Sequence, residues 1–487
     1  MTARPANADR GGHTVEKIGG TSMSRTPELV DTIFGGDRPP QDRYGRIFVV
    51  SAYGGVTDLL LEHKKSGEAG VYARFTDTED AYGWSAALTT VAERMRAINA
   101  AILDDPGDRR DADAFVRERI EGARNCLIDL ERLCSYGHFQ VAQHLLTVRE
   151  LLAGLGEAHA AYGTVLVLRR RGINARFVDL SGWRDETHPS LDERLAGAFA
   201  EIDLTREMPV VTGYAQCREG LMRAFDRGYT EVTFARLAAL TGAREAVIHK
   251  EFHLSSADPA IVGGDKVVKI GRTNYDVADQ LSNMGMEAIH PQAAKTLRQA
   301  GIPLRVANAF DPSDPGTLID AEPGERPGVE MVTGLAVTAL ELFEQDMLGV
   351  KGYDATILEH LTRHEIYIVT KSSNANTITH YCHAPLNKMR SLERDLSRVY
   401  PSARVTVRRV AIVSVIGRDL AGLRVSLNGL AALCEAGIEP IALHEGSRKV
   451  DVQFVVEAEA RETAIRALHE RLIERAAAGT PQLANAA

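Results

Sequence analysis

The chain has 487 residues, of which 44 % are hydrophobic and 25 % are charged, and its formal net charge at pH 7 is −9. This length exceeds what one hydrophobic core normally spans, so we expect about two or three domains. The acidic balance speaks against a nucleic-acid partner held by a general positive field. No run approaches the roughly 20 apolar residues of a membrane helix, and the flexible leader, residues 1–13, has no apolar signal segment. We therefore expect a cytoplasmic protein with no membrane partner.

A lysine and a glycine pair follow the first predicted strand. Residues 15–22 read Val-Glu-Lys-Ile-Gly-Gly-Thr-Ser, which places a fixed cation, Lys17, beside open backbone N–H groups and two hydroxyls. A phosphate chain is held by groups of this kind. Taken alone, the motif is short enough to be an ordinary turn between a strand and a helix.

Short runs rich in Val and Ile alternate with longer helical patterns as far as about residue 320. This alternation predicts an α/β fold, with a mostly parallel sheet sandwiched by helices. The interval 60–168 is helical in pattern almost throughout and predicts a helical insertion beside the site. The predicted strands are residues 14–18, 46–51, 175–179, 208–212, 246–249 and 303–307.

Proline and glycine interrupt regular structure at 311–316 and again at 321–328. We place a domain boundary there, with one domain over 14–320 and a second over 321–487. The second domain contains a weak internal repeat, in which a helix pattern and two strands from Gly352 are followed by a similar unit from Gly417. This repeat predicts a C-terminal pair of small α+β modules. Ligand sensing and plain oligomerisation both remain open as its role.

Two further segments place polar groups beside glycines. Residues 49–58 form a strand end followed by a helix start at Thr57, and small residues there let a substrate approach the backbone. Arg227 and Gly228 precede an apolar helix, and an arginine at this position can bind a carboxylate through two parallel hydrogen bonds. Arg227 could equally pair with a neighbouring acidic residue such as Glu231.

In this order and spacing, the segments resemble the aspartate kinases of the amino-acid-kinase fold, over nearly the whole chain and with paired ACT-type modules at the C-terminus. Residues 17–22 are similar to the family's Lys-Phe-Gly-Gly-Thr-Ser, 50–58 to its Val-Ser-Ala…Thr-Asp strand, and 156–157 to its Gly-Glu. Residues 227–231, 257–259 and 289–291 are similar to its Arg-Gly-Gly-Ser-Asp, Ala-Asp-Pro and Leu-His-Pro. Residues 225–231 most resemble the branch associated with ectoine synthesis.

The resemblance implies an enzyme that transfers the γ-phosphoryl group of ATP, with Mg²⁺, to the β-carboxylate of L-aspartate. This is the first step towards aspartate-derived amino acids or ectoine. It also implies an amino-acid effector and no metal bound by protein side chains. Paired small α+β modules commonly associate across subunits, so we expect a homodimer. The implied catalytic residues are Lys17 and Glu231, and the implied phosphate-binding residues are Lys17, Gly19, Gly20, Thr21 and Ser22. The implied substrate-binding residues are Ser51, Thr57, Glu157, Arg227, Gly228 and Thr230. The implied nucleotide-binding residues are His249, Lys250, Ser255, Asp258 and Glu287, and the implied effector-binding residues are Gly352, Tyr353, Ser373 and Asn374. Without the resemblance, Glu157 would be interpreted as a solvent-facing helix residue.

The chain departs from the family pattern around the nucleotide. Residues 248–253 stand in place of Trp-Thr-Asp-Val-Asp-Gly, which leaves base selectivity open. Ala260 and Glu287 stand where the family has an arginine and a lysine, and the candidates to replace one of these cations are Lys250, Lys266 and Lys269. Glu231 replaces an aspartate and keeps its charge. Asn374 replaces a glutamate, so effector identity and feedback control are open.

Three alternatives follow from the same residues. His249, Glu251 and His253 alternate along a strand, which suggests a metal site. A zinc site usually needs more ligands and a matching spacing, and the five cysteines show no Cys-x-x-Cys spacing, so we favour a surface position or pocket lining for these three residues. A non-catalytic amino-acid sensor could keep this fold, although the intact Lys17 loop argues against it. Amino-acid kinases that act on glutamate or a carbamate lack the paired C-terminal modules.

Overall fold

The structure is a computed structural model of the chain. It describes residues 11–35, 39, 42–64, 66–77, 83–225, 228–286, 289–322 and 327–477. Arg227, Glu287 and most of the predicted leader lie outside the described residues. The chain divides into two compact units, of which the first comprises Met1–His253 and Ile289–Ala321 and the second comprises Leu254–Ala288 and Glu322–Ala487.

Strands and helices alternate along most of the chain. The strands are β1 Gly11–Ile18, β2 Arg46–Val50, β3 Ala175–Val178, β4 Met208–Thr212, β5 Ala243–Lys250, β6 Arg272–Asn274, β7 Leu304–Asn308, β8 Thr317–Asp320, β9 Met331–Phe343, β10 Tyr367–Ser373, β11 Thr377–His383, β12 Arg404–Ile416, β13 Ala442–Glu445 and β14 Asp451–Glu457. The α-helices are α1 Gly20–Met23, α2 Thr26–Leu29, α3 Val56–Leu60, α4 Val71–Thr76, α5 Gly83–Ile102, α6 Pro106–Cys134, α7 Leu145–Arg170, α8 Leu191–Phe199, α9 Leu221–Phe225, α10 Tyr229–Thr241, α11 Pro259–Val262, α12 Tyr275–Asn283, α13 Pro291–Ala300, α14 Tyr353–Arg363, α15 Leu386–Val399, α16 Val425–Glu435, α17 Arg461–His469 and α18 Arg475–Ala477. The described residues also form π-helical turns at Val30–Phe34 and Glu470–Glu474, and 3₁₀ turns at Val141–Gln143, Gln345–Met347 and Ala458–Ala460.

The first unit is built on a mostly parallel sheet. Its strands lie in the order β3-β4-β2-β1-β5-β7-β8, and β8 alone in this series runs antiparallel to its neighbour. Strands β2 and β4 are buried at every residue, as expected where helices cover both faces of a parallel sheet. Each predicted strand of this region overlaps an observed one, and β5 is the one whose length the sequence pattern underestimated most.

Helices α4 to α7 occupy most of the predicted helical insertion. Helix α7 has 26 residues and, of the described helices, is the one long and apolar enough to cross a membrane, which corrects the expectation that no such segment exists. However, 83 % of its 18-residue apolar segment is buried inside the structure, and residues 152–161 are buried at every position. Burial on all sides is typical of a core helix and removes the polar stripe that marks a surface helix.

The second unit contains a six-stranded antiparallel sheet in the order β10-β11-β9-β12-β14-β13. Strands β9 and β12 pair along their full 13 residues. Their two halves contribute to different hydrophobic cores, since Leu340 and Leu342 belong to one core and Val332 and Val413 to the other. The unit is therefore two α+β modules that share two long strands.

This arrangement differs from the predicted repeat, which set two units one after the other. One module, formed by α14, β10, β11, α15 and the adjacent halves of β9 and β12, is inserted between the parts of the other. Strands β9 and β12 and helix α15 were not predicted from the sequence. Two Val-Thr pairs in β9 and the apolar stretch over 410–416 in β12 were usable signals for these strands.

The segment Leu254–Ala288 belongs to the second unit, whereas the prediction placed all of residues 14–320 in one domain. Ala257 and Val262 belong to a core of the second unit. The Ser256 hydroxyl lies 2.9 Å from Nε2 of His469, and its carbonyl accepts a hydrogen bond from the Val332 amide. The catalytic and regulatory roles given to the two domains stay predictions.

Candidate active site

The carboxyl ends of four parallel strands meet at one edge of the first sheet. Ile18 pairs with Val50 and His249, and Val50 pairs with Thr212. Beyond these residues, the Ser51 amide donates to the Ile18 carbonyl and the Gly213 amide donates to the Val50 carbonyl. Ligands of open parallel sheets bind at such an edge.

Lys17 and Glu231 form a largely buried ion pair at this edge. Nζ of Lys17 lies 3.2 Å from Oε1 of Glu231, and the His290 backbone amide donates to Oε2. Burial by itself would raise the pKa of Glu231, but the charges of Lys17 and Lys250 and the His290 amide hold it below its ordinary value. Glu231 is therefore ionised at neutral pH. The two predicted catalytic residues, 214 positions apart, are in contact.

The glycine loop packs closely against the end of the neighbouring strand. A Cβ atom on Gly20 would lie 2.6 Å from the Ala52 carbonyl oxygen, so only glycine fits without a shift of the backbone. Gly19 precedes α1 in an extended conformation, and Thr21 is exposed. Ser22 is fully buried, and its hydroxyl donates to Glu251 Oε1 at 2.6 Å. In this structure Ser22 thus ties the loop to the segment that follows β5.

Glu157 is buried on α7, with 2 % of its surface exposed. Its Oε1 accepts a hydrogen bond of 2.7 Å from the Thr230 hydroxyl, and its Oε2 has no hydrogen-bond partner among the described residues. Burial raises the pKa of Glu157 to about 8, which the Thr230 hydrogen bond and the Lys17 charge offset only in part. This carboxyl group is therefore suited to receive a cation.

Gly213 belongs to the same cluster and was not identified from the sequence. A Cβ atom there would lie 2.4 Å from Cγ2 of Thr230 and 2.9 Å from Oε2 of Glu157. The signal was a glycine directly after the predicted strand 208–212. Its absent side chain leaves the space in which Thr230 reaches Glu157.

The other predicted substrate residues lie on adjoining loops. Ser51 follows β2 and Thr57 is the second residue of α3, both partly exposed. Gly228 precedes α10, where a Cβ atom would lie 2.4 Å from the His290 ring. Arg227 lies outside the described residues.

His249 lies on the opposite face of the sheet from Lys17. Its Nε2 is 2.8 Å from Glu16 Oε2, and Glu16 also binds the Arg46 guanidinium through both of its oxygens. Despite its burial, Glu16 has a pKa held well below the ordinary value by the charge of Arg46 and the hydrogen bond from His249. A cavity of about 720 Å³ adjoins this buried cluster. The structure does not bring His249 together with Lys17.

The three residues of the suggested metal site do not converge. His249 contacts Glu16, and Glu251 contacts Ser22. His253 instead lies 3.3 Å from Asp311 and 3.7 Å from Asp314.

Two predicted nucleotide-binding residues belong to the second unit and serve local structure there. The Asp258 side chain accepts a hydrogen bond from the Ala260 amide and so caps the N-terminus of α11. The Ser255 hydroxyl donates a hydrogen bond to the Ala257 carbonyl. Glu287 lies outside the described residues. Lys250, the last residue of β5, is the remaining described candidate and lies in the first unit.

The predicted effector residues lie at the inserted module of the second unit. Gly352 precedes α14 with φ of 108°, and Tyr353 stacks on Tyr400 with ring centres 4.6 Å apart. Asn374 shapes the turn between β10 and β11, because its side chain accepts from the amides of Asn376 and Thr377. Ser373 ends β10. An ion pair of 2.6 Å between Lys371 and Asp354 joins β10 to the start of α14.

Comparison with known proteins identifies the family of this chain. The sequence pattern of the amino acid kinase family matches residues 13–308. The chain is 53 % identical to aspartate kinase Ask_Ect of Stutzerimonas stutzeri (strain A1501), over 95 % of this chain and 98 % of that protein. The chain belongs to the amino acid kinase family, among its aspartate kinases. The resemblance recognised in the sequence is confirmed.

More distant aspartate kinases agree over most of their length. Aspartokinase 2, chloroplastic, of Arabidopsis thaliana is 23 % identical over 94 % of this chain and 84 % of that protein. The structure of E. coli aspartokinase III in complex with aspartate and ADP has a TM-score of 0.68 at 20 % identity, and covers 94 % of this chain and 99 % of that one. This likeness confirms the predicted fold, a mostly parallel α/β sheet with C-terminal α+β modules.

Proposed function

We propose that the chain is an ATP-dependent aspartate kinase, which transfers the γ-phosphoryl group of ATP to the β-carboxylate of L-aspartate and forms 4-phospho-L-aspartate. The observation that carries this proposal is the Lys17–Glu231 ion pair at the carboxyl edge of the parallel sheet. Near it lies Glu157, whose Oε2 has no hydrogen-bond partner among the described residues. The chain that holds these residues is 53 % identical to an aspartate kinase. The Lys17 cation matches the negative charge of the phosphoryl group, and the buried Glu157 carboxyl group matches the positive charge of the α-ammonium group of aspartate.

On the phosphate side, the barrier is repulsion between anions. The side chain of aspartate has a pKa of about 3.9, so it is ionised and needs no general base. Two like unit charges at ~4 Å repel by about 1 kcal/mol in water and by several times more in a protein cleft. Catalysis therefore depends on positioning and on cations. Lys17 supplies one cation, Glu231 positions it, and the amides of Gly19 and Gly20 face the phosphates. Thr21 and Ser22 complete the loop, and Mg²⁺ enters bound to ATP as part of that substrate.

On the aspartate side, Glu157 binds the α-ammonium group. The cation stabilises the ionised carboxylate, so substrate binding lowers the pKa of Glu157 from about 8 and releases its proton. Thr230 holds Glu157 in place through its hydroxyl. Ser51, Thr57, Arg227 and Gly228 would bind the substrate carboxylates.

The second unit is proposed to bind an amino-acid effector near Gly352, Tyr353, Ser373 and Asn374. In support, E. coli aspartokinase III has been solved in complex with lysine and aspartate, and its fold is similar to that of this chain. We further propose a cytoplasmic homodimer. A second candidate function is a non-catalytic amino-acid sensor, which Ala260 and Glu287 favour because each stands where a cation is expected.

Trapping of the acyl phosphate separates the two candidates. Protein, aspartate, ATP and Mg²⁺ are mixed with hydroxylamine, and the hydroxamate is measured. The kinase produces hydroxamate above background, whereas folded protein that produces none would rule out the kinase.

A lysine substitution then tests the phosphate site. Lys17→Ala should lower the rate about 10²-fold or more, because it removes a charge aimed at the transferred group. The control is Lys295→Ala, an exposed lysine on α13 of the same unit. Normal turnover by folded Lys17→Ala protein would show that the phosphate site is assigned wrongly.

A further inference from the structure

Lys250 projects from the same face of the sheet as Lys17. Successive side chains of a strand point to opposite faces. Glu16 of β1 and His249 of β5 contact each other at 2.8 Å and so share one face. Each has a lysine as its next residue, and these lysines therefore share the other face. The register pairs Lys17 with Ile248, which places Lys250 two residues nearer the carboxyl edge.

Glu231 is the carboxylate on which the charges of both lysines act. Glu231 binds Lys17 directly through Oε1, and its Oε2 accepts a hydrogen bond from the backbone amide of His290. The positive charge of Lys250 acts on the same carboxylate and contributes to its low pKa. Lys250 is partly exposed while Lys17 is buried, so Lys250 lies nearer to solvent at the end of β5.

The other two candidate lysines belong to a different unit of the chain. Lys266 and Lys269 belong to the second unit, where Lys266 lies 3.7 Å from Glu474.

We propose that Lys250 is a second cation of the phosphoryl site, which flanks the transferred group together with Lys17 and shares Glu231 with it as counter-ion. This inference rests on the proposed kinase function. It assigns to Lys250 the neutralising charge that Ala260 and Glu287 do not supply. Two ammonium groups on either side of a phosphoryl group offset its repulsion of the incoming carboxylate more than one does.

The test is the hydroxamate assay with Lys250→Met, which keeps much of the side-chain length and removes the charge. We expect kcat at saturating MgATP to fall about 10²-fold, with a much smaller change in the KM for aspartate, since the charge acts on the phosphoryl group. Lys250→Arg should recover a large part of the loss. Lys295→Met is the matched control and should stay within about twofold of the unchanged protein.

Stability measurements separate this role from a structural one. A purely structural lysine would lower the melting temperature and leave kcat of the folded fraction unchanged. Lys250→Gln is a second variant in case the methionine variant does not fold. Folded Lys250→Met or Lys250→Gln protein with normal kcat would overturn the inference while leaving the kinase function standing. Absence of hydroxamate from the unchanged protein would overturn both.

Discussion

At the scale of single residues, Glu157 makes stability depend on pH. Its pKa is raised from 4.5 to about 8, so the folded protein binds a proton more tightly than the unfolded chain. The stabilisation is complete below about pH 4.5, falls as the pH rises, and is lost above about pH 8. At ~1.4 kcal/mol per pKa unit, the loss amounts to at most ~5 kcal/mol.

Glu157→Gln should remove this dependence, because an amide resembles the protonated acid and can still accept from Thr230. Relative to the unchanged protein, the variant should gain free energy of unfolding from pH 5 to pH 9. Urea unfolding at pH 5, 7 and 9 measures the difference, with the exposed Glu186→Gln as control. A difference that stays constant over this range would mean that Glu157 does not carry the raised pKa.

The same residue marks a limit of sequence reasoning. On pattern alone Glu157 resembled a solvent-facing helix residue, and only the family motif placed it in the site. The reason is that α7 is buried on all sides, so its sequence has no polar stripe against which one acidic residue would stand out. Contacts such as Lys17 with Glu231 and Ser22 with Glu251 join residues more than 200 positions apart and leave no local signal.

At the scale of elements, two glycines on α7 and α8 have opposite roles. A Cβ atom on Gly156 would lie 2.8 Å from Cβ of Ala52 and 3.1 Å from Cγ1 of Val56. Helix α7 approaches the end of β2 so closely only because this side chain is absent. On α8, a Cβ atom on Gly197 would meet nothing within 4 Å.

Alanine at these two positions should therefore act in opposite directions. Gly197→Ala should stabilise the fold by up to about 1 kcal/mol, since alanine favours the helix. Gly156→Ala should destabilise it by about 1 to 3 kcal/mol through overpacking, and should lower activity because Glu157 is the next residue. Thermal unfolding together with the hydroxamate assay measures both. Equal stabilisation by the two variants would mean that α7 can move away from Ala52.

Strands were predictable from the sequence where the whole strand packs into a single hydrophobic core, because its residues then follow one hydrophobic pattern. In the parallel sheet, buried strands gave continuous apolar runs that marked β2 and β4 closely. Strands β9 and β12 were missed because each runs through two cores. Burial changes part-way along each strand: in β12 the first six residues are mostly exposed and the last seven are all buried, so no single strand pattern covers all 13 residues.

At the scale of the whole molecule, the second unit has features of a subunit interface. Strand β10 lies at an edge of its sheet, and edge strands are open to pairing with another chain. Tyr367 on β10 is 57 % exposed, and Leu348 and Val350 of the inserted module are 74 % and 56 % exposed. Exposed apolar groups of this kind favour a contact with a second copy.

Light scattering should therefore give a molar mass twice that of one chain. The double substitution of Leu348→Glu with Val350→Glu should shift the protein to monomer, because it places charges in the apolar contact. Leu146→Glu, at a residue 50 % exposed in the first unit, is the control and should leave the dimer intact. A monomeric unchanged protein would contradict the prediction.

The shared strands of the second unit have a mechanical consequence. Strands β9 and β12 cross from one core to the other with all 13 residue pairs in register and no loop between the halves. Two domains linked by a flexible loop can swivel freely, but these modules have no such joint. A ligand that reshapes one module must therefore bend or twist two continuous paired strands, and the deformation reaches the core of the other module through the backbone of those strands.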